Sequence, residues 1–197
     1  MGLILLRIFV FAPMRFVYER IFGWRIVGDF AADKFIGVFA PHTSRWDFIL
    51  MWYGAIVTER FPNWLGKQEL FENPIMGKLY RRFGGIPVDR DNPLTALKQM
   101  IRSVKQMDRL TLLINPEGTR QYSDHWKKGF HFVAHKTKTP LILMSLDYSK
   151  KTITISEPFY TNSDIDVDME IIRAFYDGVV GANPERTAPI TLVPNES

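Results

Sequence analysis

Short apolar runs alternate along this chain with longer amphipathic stretches, and polar clusters stand where one gives way to the next. Residues 35–40, 110–114 and 141–146 are continuous apolar runs of strand length, the pattern of strands covered on both faces. Of these, 110–114 reads as a central strand. Residues 24–30 read as a further strand, joined to 35–40 by a polar turn at 31–34. Residues 64–67 read as a strand edge, and 152–155 alternate as an edge strand. Helical spacing predicts an apolar helix over 48–56, a turn of helix over 69–73 and a helix over 75–83 opened by Pro74. A helix after the cap Asn92 and Pro93 carries Leu94, Leu97, Ile101, Val104 and Met107 on one face. Another is expected over 129–136, ended by Thr139-Pro140. A last one, capped by Ser163 or Asp164, carries Ile165, Met169, Ile172, Phe175 and Val179. Residues 122–128 read as a polar, mobile loop, and 183–197 as a tail with one strand candidate at 190–193. Residues 86–88 are too short and too interrupted by Pro87 for an interior strand.

The first 22 residues follow another pattern. Residues 3–12 are almost wholly apolar, broken by Arg7; Pro13 follows, then Arg15, Glu19 and Arg20 among Phe16, Val17, Tyr18, Ile21 and Phe22. A spanning helix needs about 20 predominantly apolar residues, and these charges forbid it. A secretory signal would place its positive charge ahead of the apolar run. The pattern fits an interfacial helix in the headgroup region, its arginines reaching for phosphates; packing of the same segment on its own domain is the alternative. Residues 1–22 are therefore read as a membrane-interface segment and 23–197 as one domain.

Composition changes the picture little. With 197 residues and no internal repeat or linker, one domain with a full core is expected. The absence of cysteine excludes disulfides, thiolate nucleophiles and cysteine-ligated zinc. The net charge of +4 suits an anionic membrane surface or a phosphorylated substrate; without a Lys/Arg run, nucleic acid is not an expected partner.

The chemistry concentrates after the strands. His42 and Asp47 lie five residues apart at a strand-to-helix junction, the carboxyl edge where α/β folds bind ligands. A turn at Thr43-Ser44 lets the carboxylate return to one imidazole nitrogen and leaves the other as a base; Ser44 and Asp47 also match a capping box. Gly84, Gly85 and Arg90 lie in a loop ahead of the Asn92 helix, a place suited to an anion or to a plain surface arginine. Glu117, Gly118, Thr119 and Arg120 follow residues 110–114 and suit either a polyhydroxylic or phosphorylated ligand or a simple salt bridge. His131 and His135, four apart, lack the glutamate of a His-Glu-x-x-His site and read as packing or surface residues. No Gly-x-Ser-x-Gly elbow and no dinucleotide or phosphate-loop glycine pattern is present. A histidine base without a protein nucleophile points to attack by a substrate hydroxyl.

These stretches resemble, in order and spacing, the motifs of the glycerolipid acyltransferases typified by lysophosphatidic acid acyltransferase. His42 and Asp47 match a His-x-x-x-x-Asp motif, residues 84–90 a Gly-x-x-Pro-x-x-Arg loop and residues 117–120 a Glu-Gly-Thr-Arg loop, while 140–145 match loosely an apolar stretch with a proline. The resemblance covers roughly residues 24–160. It implies an α/β domain with a mixed central β-sheet flanked by helices, held at the cytoplasmic face of a membrane by the N-terminal segment. His42 would deprotonate an acceptor hydroxyl, oriented by Asp47, and the hydroxyl would attack the thioester of acyl-CoA or acyl-carrier protein. Arg90, with Glu117, Gly118 and Arg120, would hold an acceptor phosphate, and Gly85 and Thr119 belong to the same binding loops. Arg45 stands where the family more usually has a small or neutral polar residue and would either contact a donor or acceptor phosphate or mark a different acceptor. No metal, redox cofactor or protein partner is implied. The front end is short for the family. Two other readings fit the same residues, a non-catalytic lipid-binding protein of this fold and an acyltransferase for a non-glycerolipid hydroxyl. An esterase would need a serine elbow, which Ser145 does not provide.

Overall fold

Five strands form the main sheet of the computed structural model, which describes residues 12–89 and 91–192. In chain order the elements begin with helix α1 (Ala12–Phe16), continued by a π-helical turn Val17–Ile21, then β1 (Arg25–Val27), β2 (Lys34–Ala40) and α2 (Trp46–Val57). Next come β3 (Trp64–Lys67), a 3₁₀ turn Gln68–Phe71, α3 (Met76–Arg82), β4 (Gly85–Val88), α4 (Pro93–Gln106) and β5 (Leu110–Ile114). The chain closes with α5 (Gly129–Thr137), β6 (Leu141–Asp147), β7 (Thr152–Ile155), α6 (Ile165–Tyr176) and a 3₁₀ turn Pro184–Arg186.

The sheet order is β1-β7-β6-β2-β5, and only the β6–β7 pair is antiparallel. The mixed sheet is thus as expected, but two strands exchange their expected places. Residues 110–114 form an edge of this sheet, and 152–155 lie inside it, because the short β1 adds a strand outside β7. The exposed rim of β5 is closed by one residue. Asn63 N donates to Thr111 O at 2.7 Å, Asn63 O accepts from Leu113 N, and Asn63 Oδ1 accepts from Thr111 N. Asn63 leads directly into β3, which pairs in parallel with β4 as a separate two-stranded sheet.

Alternation along β2 and β6 explains the two-sided core. Ile36, Val38, Leu141 and Leu143 face Val104 of α4, Phe130 and Val133 of α5, and Met169 and Ile172 of α6. Phe35, Phe39, Ile142, Met144 and Leu146 face the other way, toward Tyr18, Trp24, Phe30 and the α2 side chains Leu50, Met51 and Tyr53. The expected strand over 24–30 stops at Val27. Gly28 has φ +90°, and a Cβ there would meet Ile155 O at 2.2 Å, so the backbones approach too closely to extend it.

Caps follow the chemistry read from the chain. Asn92 Oδ1 accepts from Thr95 N to open α4, and Asp164 accepts from Asp166 N to open α6. The helix expected from Pro74 begins at Met76, since Asn73 Oδ1 takes the N–H groups of Ile75 and Met76. Residues 122–128 are not a free loop: Trp126 is fully buried, its backbone N–H donates to Thr191 O at 2.7 Å, and Lys127 N donates to Pro116 O. Of the candidate strand 190–193, Leu192 makes a single bridge to Trp126 and Val193 lies outside the described residues. His131 is buried with Nε2 2.7 Å from Asp168 Oδ2, which ties α5 to α6 as a packing pair.

Candidate active site

Three parallel strands bring the site together. β5, β2 and β6 run side by side, with Val38 opposite Ile114 and Ala40 opposite Ser145. Their carboxyl ends therefore emerge at one edge, and the segments that follow them carry Glu117, His42 and Tyr148.

The loop after β2 folds back on Asp47, in the first turn of α2. Asp47 is fully buried and accepts four hydrogen bonds. Its Oδ2 receives the Nδ1–H of His42 at 3.0 Å and the backbone N–H groups of Thr43 and Ser44 at 2.8 Å each. Its Oδ1 receives the hydroxyl of Tyr148 at 2.6 Å. The carboxylate thus binds the Ser44 N–H and also orients the imidazole, but the reciprocal capping box is not formed: the N-cap of α2 is Arg45, without a side-chain cap, and Ser44 Oγ accepts from Trp46 N. With Nδ1 engaged as donor, Nε2 is the nitrogen left to accept a proton.

Tyr148 stays a phenol. Burial pushes its hydroxyl above the usual range, and donation to the Asp47 carboxylate pushes it further the same way. The chain pattern gives no sign of this tyrosine, since only β6 packing against β2 brings it across 101 positions to Asp47. Asn183 was equally hidden. Its backbone N–H donates to Thr43 Oγ1 at 3.0 Å and its Nδ2 to Thr43 O at 2.8 Å, so the C-terminal segment clamps the loop that carries His42.

Glu117, expected to face a ligand, is instead buried beneath the loop at 3% exposure. Its Oε2 accepts the backbone N–H of His42 at 3.2 Å, while Oε1 finds no partner among the described residues. Burial raises its carboxyl to about 7, partly opposed by the His42 N–H and by the imidazole, and reinforced by the charge of Asp47. The rest of that loop is organised by Asn115, which takes Glu117 N on Oδ1, Gly118 N on its backbone oxygen, and donates to Thr119 O. Gly118, with φ +68°, thus uses its N–H inside the loop, and Thr119 Oγ1 accepts from Gln121 N. Arg120 and Arg45 are exposed.

The second glycine-containing stretch runs in the same direction as these strands, since Asn63 bridges Leu112 in parallel and leads into β3, which pairs in parallel with β4. Gly85 begins β4 in the small sheet, and a Cβ there would meet Tyr80 O at 2.8 Å and the Phe71 ring at 2.9 Å, so its place is one of close packing. Arg90 lies outside the described residues. Beside it, Asp89 Oδ1 accepts the N–H groups of Asp91 and Asn92. Among the described residues no three His, Asp or Glu side chains converge as a metal site, and no helix is long and apolar enough to cross a membrane.

His42 stands in the wall of a groove of about 520 Å³. The groove runs between α2 and β3. Phe48, Met51 and Trp52 line one side, Trp64, Leu65 and Phe83 the other, with Phe39 and Leu113 among the remaining lining residues and Asn115 adding a polar group. A base in the wall of an apolar groove of this size can act on a hydroxyl delivered with a long aliphatic ligand.

A family model described as Acyltransferase matches residues 32–147. The 1-acyl-sn-glycerol-3-phosphate acyltransferase of Streptococcus pneumoniae is 36% identical over 104 residues, covering 52% of this chain and 38% of that protein. The protein of the same description from Limnanthes douglasii is 33% identical over 111 residues, with 53% and 38% covered. That from Bacillus subtilis is 28% identical over 113 residues, with 56% and 55% covered. The matched stretch thus spans about two fifths to just over half the length of these relatives. The fold is similar to the crystal structure of the 1-acyl-sn-glycerophosphate (LPA) acyltransferase PlsC from Thermotoga maritima, with a TM-score of 0.55 at 20% identity over 85% of this chain and 77% of that one. With 116 of its 197 residues inside the family match, this chain belongs to the Acyltransferase family.

Proposed function

We propose that this protein is an O-acyltransferase that moves a fatty acyl group from acyl-CoA or acyl-carrier protein to the free hydroxyl of a lysophospholipid such as 1-acylglycerol-3-phosphate. The observation that carries the proposal is the His42–Asp47 pair, 3.0 Å apart, in the wall of the apolar groove. Nε2 of His42 takes the proton as the acceptor oxygen attacks the thioester carbonyl carbon. The tetrahedral intermediate collapses by breaking the C–S bond, and the imidazolium returns its proton to the thiolate that leaves. Asp47 holds the imidazole in the required tautomer and balances its charge in the transition state, a role that needs no proton transfer to the carboxylate. No serine or cysteine is needed as a nucleophile.

The groove takes the aliphatic chain, and arginines receive the charged ends. Arg90 and Arg120 bind the acceptor phosphate, with Thr119 and Gly118 forming the rim of that loop, and Arg45 meets a phosphate of donor or acceptor. Gly85 and Glu117 act at one remove, by packing and by holding His42 N. The protein works at the cytoplasmic face of a membrane as a peripheral protein, with the N-terminal segment in the interface through the exposed Phe16, Ile21 and Phe22, while Tyr18 of the same segment packs into the core.

The test is free-thiol release from acyl-CoA and acyl-carrier protein, with and without a panel of lysophospholipids, for the wild type and His42→Ala. Thiol release that requires a lysophospholipid and falls by about 10³-fold in the variant is expected. Release without any acceptor would replace transfer by thioester hydrolysis, and silence with every donor would leave a lipid-binding protein.

A further inference from the structure

Helix α3 (Met76–Arg82) lies on the surface with its apolar side turned outward. Gly77 is its one buried residue, and a Cβ there would meet Phe71 O at 2.3 Å, so the helix rests on the domain through a bare backbone contact. Ile75, Leu79 and Phe83 recur four apart and form one stripe along it. They are 78%, 41% and 59% exposed. Lys78 and Arg82, also four apart, run alongside that stripe and are exposed. Neither is held in an ion pair among the described residues. The helix itself contains no acidic residue. The stripe is continuous with the mouth of the groove, since Phe83 lines both, and Phe48 on the opposite rim is likewise exposed.

We propose that α3 is a second membrane contact, separate from the N-terminal segment, which seats the mouth of the groove on an anionic bilayer. The inference rests on the acyltransferase reading only in supposing that the groove is filled from lipid; the docking itself follows from the helix. An outward apolar stripe flanked by unpaired cations matches the two components of a bilayer surface, acyl chains below and anionic headgroups above. Leu79 and Phe83 enter the headgroup boundary while Lys78 and Arg82 meet the phosphates, and a lipid chain then passes from bilayer to groove without crossing water.

The chain has no cysteine, so a single one can be labelled. The full-length protein carries an environment-sensitive fluorophore at Leu79→Cys, or at Glu170→Cys on the exposed side of α6 as a control. Vesicles of phosphatidylglycerol and phosphatidylcholine should shift the emission of the Leu79 label to the blue and leave the Glu170 label unchanged. Adding Lys78→Glu and Arg82→Glu should weaken vesicle binding about tenfold or more. An unshifted Leu79 label on protein that sediments with the vesicles would place the membrane contact elsewhere and overturn the proposal, as would equal shifts at both positions. A wild type that does not sediment would overturn it outright. Transfer is measured in parallel for Ile75→Glu/Leu79→Glu. The expected result is an unchanged rate with acceptor in detergent micelles and a loss with acceptor in vesicles. Absence of transfer in the wild type under both conditions would defeat the enzymatic reading and leave the fluorescence result standing.

Discussion

The hydroxyl of Tyr148 donates to Oδ1 of Asp47 at 2.6 Å, and the other oxygen of the same carboxylate holds His42. The two residues lie 101 positions apart in the chain, and their contact fixes the angle at which Asp47 faces the imidazole. Tyr148 is a positioning residue in this arrangement. Replacing it by Phe removes one hydrogen bond to a buried carboxylate while keeping the ring against Trp24. The expected outcome is a fall in kcat of about tenfold with little change in KM for the acyl donor. Steady-state kinetics on purified Tyr148→Phe checks it; a change confined to KM would assign the tyrosine to binding.

Glu117 makes stability depend on pH in an unusual direction. Burial raises its carboxyl from 4.5 to about 7 in the folded chain. The folded state therefore holds the proton more tightly than the unfolded one. Its contribution is fully present below about 4.5 and is lost as pH rises through about 7. The loss amounts to about 3 kcal/mol, since a tenfold change in proton affinity is worth roughly 1.4 kcal/mol. Glu117→Gln keeps an oxygen for His42 N and removes the titration. Thermal unfolding of both proteins between pH 5 and 8 should show a Tm that declines with pH in the wild type and declines less in the variant. Parallel profiles would remove Glu117 from this role.

Asn183 is the clamp on the loop that carries His42, with two hydrogen bonds to Thr43. Asn183→Ala leaves Thr43 O without its donor next to a buried side chain, at a cost of about 1–3 kcal/mol. Urea unfolding should register that loss. Loosening the loop also moves His42, so kcat should fall several-fold while KM for the acceptor holds.

Chain-length preference should follow the groove wall. Leu113 belongs both to the groove and to a narrow, largely apolar cleft behind it that is shared with Phe39 and Met51. Leu113→Phe adds bulk at that junction, and long-chain donors should lose several-fold in kcat/KM relative to medium-chain donors. A competition assay with paired donors measures the ratio, and an unchanged ratio would take the aliphatic chain out of this part of the groove.

Local pattern was enough for most elements. The apolar runs at 35–40, 110–114 and 141–146 became β2, β5 and β6 because a two-sided buried strand needs little but continuous apolar side chains. Asn92-Pro93 set the start of α4 because cap chemistry is local. The His42–Asp47 contact was legible for the same reason: five positions and one turn are spanned by the loop itself.

Tertiary structure decided what long-range pairing decides. Whether 110–114 is central or an edge depends on which strands lie beside it, and Asn63 closes that edge from 48 positions away. Gly85 lies in β4, which pairs with β3 in its own small sheet, and only the packing of that sheet against Phe71 and Tyr80 shows why a glycine stands there. Glu117 turned inward because the parallel registry of β2 and β5 sets its carboxylate under the backbone of His42. Tyr148 and Asn183 carry no signal in the chain, since a tyrosine after a strand and an asparagine in a tail are ordinary residues until folding gives each one a partner. The sequence by itself thus determined the residue types and the spacing of His42 and Asp47. The three-dimensional packing determined what holds that pair and what groove it faces, because those depend on contacts between residues that only the assembled sheet brings within hydrogen-bonding distance.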